Sequence, residues 1–122
     1  MSGCLTTHVL DLARGIPAAG MAVQLWSVSG GASRLLLTAV TNSDGRLDQP
    51  LLEGEAVVPG AYELLFQAGD YFRASGCGGV TGGDGGLFLD EIPIRFHITD
   101  SGAHYHVPLL VAPGGYSTYR GS

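Results

Sequence analysis

Apolar and polar residues alternate along this chain with a period of two, the mark of strands that bury one face. In Leu5-Thr6-Thr7-His8-Val9-Leu10-Asp11, the residues Leu5, Thr7 and Val9 share one face, and Thr6, His8 and Leu10 share the other. Alternation resumes over residues 21–26, with Met21, Val23 and Leu25 on one side, and again over 34–41 and 62–66. Ile92, Ile94, Phe96 and Ile98 then interleave with Pro93, Arg95, His97 and Thr99. A last strand is expected over 104–111, interrupted at Pro108, which cannot donate to a ladder and so belongs near an edge or bulge. Glycine and small polar residues separate these runs: 15–20 reads as a loop, 29–33 as a turn, and Asn42-Ser43-Asp44-Gly45 as a tight turn whose Asp-Gly pair supplies positive φ. Only residues 68–75 break the period, as two helical turns with Asp70 as N-cap. Residues 76–86, with seven glycines, read as a slack loop. The pattern predicts one all-β domain over 1–122, a β-sandwich of about seven to eight strands with one short helix.

Composition narrows the field. The chain has 122 residues, enough for one core but not two. Charged residues make up only 14%, well under the usual quarter, and mean hydropathy is +0.24, so extra apolar surface is expected to be hidden in an oligomer. With a net charge of −5 and six scattered basic residues, no stripe suited to nucleic acid exists. No apolar run approaches the roughly 18 residues that span a membrane. Met1-Ser2-Gly3-Cys4 has neither a basic segment nor an apolar one, so no signal peptide is expected and the cytoplasm is the default. Cys4 and Cys77 match no metal or redox spacing and read as free thiols.

The common catalytic signatures are absent: no G-x-S-x-G, no H-E-x-x-H, no phosphate-binding loop. Residues 115–119 only half resemble a nucleophile elbow, and no helix follows, so covalent serine chemistry is not expected. Four histidines remain: His8, His97, His104 and His106. His8 sits mid-strand, and His104 and His106 share a face. Nothing in their spacing fixes convergence on a metal, so no metal and no cofactor are expected. The close, Tyr119-Arg120-Gly121-Ser122, places an aromatic, a guanidinium and a carboxylate beside a His-bearing strand, which suits a segment lining a site.

Leu5-Thr6-Thr7-His8-Val9-Leu10-Asp11 with Gly15-x-Pro17-Ala18, and Thr41-Asn42-x-Asp44-Gly45-Arg46, resemble the transthyretin-like proteins. The close, His104-Tyr105-His106-Val107-Pro108-Leu109-Leu110 and then Tyr116 through Ser122, looks like that of the family's enzymatic branch, the 5-hydroxyisourate hydrolases. The resemblance covers essentially the whole chain and departs at residues 76–89, where a glycine-rich insertion replaces a shorter loop. It implies hydrolysis of 5-hydroxyisourate to 2-oxo-4-hydroxy-4-carboxy-5-ureidoimidazoline in urate breakdown. It further implies catalytic roles for His8, Arg46 and His106, and a homotetramer with sites between two dimers. Tyr119, Arg120 and Ser122 would close the cleft, and Ser117, a strand step away, would touch substrate. A histidine near its usual pKa of about 6.5 can deprotonate water, and a guanidinium fork can hold an oxyanion. The water-activating role is shared by His8 and His106 with the division open; His97 and His104 are left outside the site. The alternative is the family's carrier branch, which binds small ligands without catalysis.

Overall fold

A computed structural model describes residues 3–75 and 88–121. In chain order the elements are β1 (Cys4–Asp11), β2 (Ile16–Pro17), β3 (Ala22–Ser27), β4 (Arg34–Val40), β5 (Leu52–Glu53), β6 (Gly60–Gln67), α1 (Ala68–Ser75), β7 (Glu91–Ile98), β8 (His104–Ala112) and β9 (Gly115–Thr118). They form two sheets. The first has the order β2-β1-β8-β9, with β5 also on β1; the second has the order β4-β3-β6-β7. All pairings are antiparallel except β1 with β8, which run parallel from Cys4↔His104 to Asp11↔Val111. A parallel neighbour needs a crossover, and here the crossover contains the entire second sheet.

The alternation is realised as burial. On β1, Leu5 and Val9 are fully buried, while Thr6, His8 and Leu10 are half-buried on the outer face. Leu109 and Val111 of β8 face the same way and meet Val23, Leu25, Leu64, Phe66, Ile92 and Ile98 from the second sheet. Each such side chain stabilises the sandwich by about 1.5–3 kcal/mol relative to exposure. The core thus claims one face of the first sheet and leaves the other free to carry chemistry.

Several expectations need correction. The helix begins at Ala68, so Asp70 lies within its first turn rather than capping it; there its charge suits the positive helix end, and Arg73 pairs with it at 2.9 Å. Pro108 is not on an edge strand: β8 lies between β1 and β9. It is tolerated because ladder pairing with β9 stops at Leu109↔Thr118, and the Pro108 carbonyl receives the Thr118 hydroxyl at 2.6 Å. The loop at 15–20 contains the two-residue β2, and β9 was not foreseen at all. Its four residues are all exposed, so no alternating burial announces it. The register Ala112↔Gly115 makes β8 and β9 a hairpin closed by Pro113-Gly114. The glycine-rich loop at 76–86, Cys77 and Ser122 lie outside the described residues.

Candidate active site on the outer face of the first sheet

The free edge of β1 is covered by fragments: β2 at one end, β5 at the other, and the Asn42–Arg46 turn between them through the bridge His8↔Arg46. The turn is self-bonded. The Asn42 side-chain oxygen accepts from the N–H groups of Asp44 (2.9 Å) and Arg46 (3.2 Å), and the Asn42 N–H donates to the Arg46 carbonyl at 2.7 Å. Gly45 then takes φ +74 and presses against β1, where its carbonyl receives the Val9 N–H at 2.8 Å. A Cβ at Gly45 would collide with the Val9 carbonyl, so only glycine fits. The His8 ring completes the attachment: Nε2 lies 3.0 Å from the Asp44 carbonyl. A carbonyl only accepts, so Nε2 of His8 carries a proton. Arg46 is fixed beside His8 by backbone geometry and by that ring.

Across β1, the parallel register sets Thr6 against His106 and Cys4 against His104. The Thr6 hydroxyl lies 2.8 Å from Nδ1 of His106 and 3.3 Å from Nε2 of His104. His106 and His104 join Thr6, Arg46, Asp48 and Pro50 in lining a cleft of about 510 Å³, within the range of small-molecule sites. Burial, and after it the positive neighbours Arg46, His8 and His104, hold the His106 imidazole below its usual pKa. It is therefore neutral at neutral pH, with an available lone pair. Among the described residues no cluster of His, Cys, Asp and Glu is arranged to hold a metal ion.

Beyond β9 the chain stays on β8. The Gly121 N–H donates to the His106 carbonyl at 2.8 Å, and the bridge His106↔Gly121 keeps the register of the hairpin. Gly121 packs flat on the imidazole: a Cβ there would lie 2.6 Å from Cδ2 of His106. This register sets Ser117 against Leu110, and Tyr119, just beyond the strand, is 60% exposed. The Arg120 guanidinium sits 4.4 Å from the centre of the buried Tyr105 ring and reaches the His104 carbonyl at 3.3 Å.

Of the residues expected in the site, Arg46 and His106 meet in one cleft, and His8 stands beside Arg46. Ser117 pairs with Leu110 on the outer face but does not line that cleft, and Tyr119 borders a different one with Arg120, Tyr105 and Val107. Arg120, expected to help close the site, rests its guanidinium on the Tyr105 ring and reaches the His104 carbonyl in this chain. Sequence reasoning missed Thr6 and left out His104. Parallel pairing of 4–11 with 104–111 puts Thr6, His104 and His106 on one face, but that pairing is not written in either segment. His97 is exposed, as expected.

A two-sheet sandwich with this strand order, a short helix after β6 and a His–Arg cleft on an outer sheet face is transthyretin-like in class. The model of the HIUase/Transthyretin family matches residues 5–121, and the chain belongs to that family. Among relatives, the 5-hydroxyisourate hydrolase of Halalkalibacterium halodurans is 58% identical over 123 residues, covering 100% of both chains. The structure of Klebsiella pneumoniae 5-hydroxyisourate hydrolase is similar with a TM-score of 0.76 at 35% identity, covering 98% of this chain and 94% of that one. A crystal structure of (S)-allantoin synthase is similar with a TM-score of 0.91 at 45% identity over 99% of this chain, which spans only 44% of that longer one.

Proposed function

We propose that this protein hydrolyses the cyclic amide of 5-hydroxyisourate, opening the ring to the carboxylated ureidoimidazoline in urate breakdown. The observation that carries the reading is the pairing, in one small-molecule cleft, of the Arg46 guanidinium with a His106 imidazole kept neutral. Full-length relatives that bear the name 5-hydroxyisourate hydrolase at 51–58% identity support it. His106 takes a proton from water as the water oxygen attacks the amide carbonyl. Arg46 receives the developing oxyanion through its fork of N–H groups. The tetrahedral intermediate then collapses, the C–N bond breaks, and His106 returns the proton to the departing nitrogen. His8 acts by holding the Asp44 carbonyl and with it the position of Arg46. No metal or other cofactor enters these steps, because positioning and one base suffice for an activated cyclic amide.

The cleft of a single copy is open, and the first sheet and its flanking segments carry exposed apolar groups at Leu12, Ile16, Tyr116 and Tyr119. We take a homotetramer as the working form, with the outer faces of two dimers meeting over the cleft, so that Ser117, Tyr119 and Ser122 become substrate walls there. Arg120 serves the same walls indirectly by anchoring its segment on Tyr105. No helix among the described residues is long and apolar enough to cross a membrane. Cys4 is a free thiol, which suits the reducing cytoplasm in which we place the protein. The test is to generate 5-hydroxyisourate with urate oxidase and follow its ultraviolet decay. Acceleration in proportion to added protein, unaffected by prolonged chelation, is expected. A decay rate equal to that without the protein would remove the assignment, and activity lost to chelator and restored by zinc would remove the metal-free chemistry.

A further inference from the structure

His106 has two ring nitrogens, and which of them holds the proton decides whether it can act as a base toward the cleft. The geometry bears on this through a residue outside the expected site. Thr6 lies between two imidazoles, at 2.8 Å from Nδ1 of His106 and 3.3 Å from Nε2 of His104. A threonine hydroxyl has one proton to give and can accept others. Two ordered arrangements satisfy both contacts, and they run in opposite directions. Either His104 donates to Thr6 and Thr6 to His106, or His106 donates to Thr6 and Thr6 to His104. In the first, the neutral His106 carries its proton on Nε2, an N–H dipole presented to a cleft that already contains the Arg46 guanidinium. In the second, Nε2 presents a lone pair there, and the positive charge of Arg46 favours that lone pair over an N–H.

We infer that Thr6 and His104 position His106 for catalysis: Nδ1–H of His106 donates to the Thr6 hydroxyl, which donates to Nε2 of His104, leaving the basic Nε2 of His106 to the cleft. The inference rests on the hydrolase reading above and deepens it. Thr6 and His104 touch no reacting atom in this account; they act through the ring. The parallel register makes the arrangement possible, since Thr6↔His106 is a direct pair and His104 lies one strand step along the same face. The Thr6 backbone is held from below as well, because the next hydroxyl, of Thr7, donates to the Val107 carbonyl at 2.7 Å on the buried side. His104 is exposed, so water can take over its accepting role. The loss on removing it is therefore expected to be smaller than the loss on removing Thr6.

The experiment combines tautomer and rate. Nitrogen-15 spectra of histidine-labelled protein, recorded without substrate above the His106 pKa, report which ring nitrogen bears the proton. The parent is expected to show His106 protonated on Nδ1. Thr6→Val, which keeps the shape but removes the hydroxyl, should shift the ring toward the Nε2–H form and lower kcat by about 10- to 100-fold, a share of the usual acid–base contribution. Thr6→Ser should restore both signals, and His104→Phe should lower kcat by only about threefold to tenfold. An Nε2–H tautomer in the parent, or a Thr6→Val enzyme within twofold of the parent's kcat, would overturn the inference. If Thr6→Val does not fold, the parent spectrum and the Thr6→Ser and His104→Phe pair still decide it: a parental Nδ1–H form with those graded rates supports it, and any other pattern overturns it. Failure of the hydrolase reading would show in the parent's own inactivity, whereas failure of this inference shows in the tautomer or at Thr6 in an active enzyme.

Discussion

β1 carries two ionisable clusters, one on each face, and their difference separates folding from chemistry. Asp11, at the end of β1, points inward and is 1% exposed. Every bond it needs is made: the Tyr71 hydroxyl donates to it at 2.7 Å, the Arg14 backbone at 3.1 Å and the Arg14 guanidinium at 3.2 Å. Burial pushes its carboxyl up, but these donors outweigh burial and hold it below its usual pKa. The Arg14 guanidinium also reaches the Tyr71 hydroxyl at 2.9 Å, so helix α1 is tied to the turn after β1 by a closed triangle. On the other face, Thr6, His104 and His106 share one hydroxyl between two rings and open onto a cleft with Arg46. A cluster whose valences are all filled can only stabilise. One with a neutral ring and an unfilled nitrogen can react.

Breaking the open cluster should give the largest effect. Arg46→Glu replaces the proposed oxyanion holder with a repelling carboxylate and should lower turnover by about two to four powers of ten. Its melting temperature should stay near the parent's, because Arg46 is exposed and its turn is held by backbone and Asn42 contacts. Comparison of turnover and melting curves checks both halves. Gly121→Ala comes next. The added methyl meets the His106 ring, so either the ring or the segment must move, and about 10- to 100-fold of turnover should be lost, the scale of an ångström's misplacement. Unchanged kinetics would mean that the segment does not brace the ring.

Breaking the closed cluster should do the reverse. Tyr71→Phe removes one donor to a buried carboxylate, and denaturant titration should show about 1.5–3 kcal/mol of lost stability, with turnover per folded molecule unchanged. The pH dependence separates the clusters again. Because the Asp11 pKa is depressed on folding, its stabilisation is complete above the unfolded value of about 3.9 and is lost as pH falls through the lower folded value. Tyr71→Phe should therefore lose part of its stability margin near neutrality and differ less from the parent in strong acid. For the open cluster, the depressed His106 pKa keeps the base unprotonated below the usual histidine value. The acid limb of kcat/KM should fall below about pH 6.5; a limb above that value would contradict a buried neutral base. The smallest effect is expected at His97→Ala, an exposed residue on β7 of the second sheet, which should match the parent in rate and stability.

The two clusters also differ in how far the sequence discloses them. Alternation in residues 92–98 is strong because one face is wholly apolar, and in 5–11 Leu5 and Val9 carry it, so both strands and their core residues are located within a position or two. His8, Arg46 and His106 are marked by the likeness of residues 5–18, 41–46 and 104–110 to the family, and neither periodicity nor spacing singles them out. The Asp11–Arg14–Tyr71 triangle is invisible, since nothing local to residue 11 announces a partner 60 positions away. Thr6 and His104 were hidden for the same reason: their meeting depends on parallel pairing of the first and eighth strands. β9 escaped because a hairpin strand exposed on all four residues has no alternating pattern to read. The contact of Arg120 with Tyr105 is equally hidden, because it depends on the tail being held to β8 at His106, which residues 119–122 do not announce.

The most direct measurement of the central claim is the turnover of 5-hydroxyisourate by His106→Ala, followed by ultraviolet decay beside the parent at equal concentration of folded protein. The account predicts a fall of about two to four powers of ten with the sandwich and its melting temperature preserved. Turnover equal to the parent's would place the base elsewhere and contradict the assignment of the outer-face cleft as the site of hydrolysis.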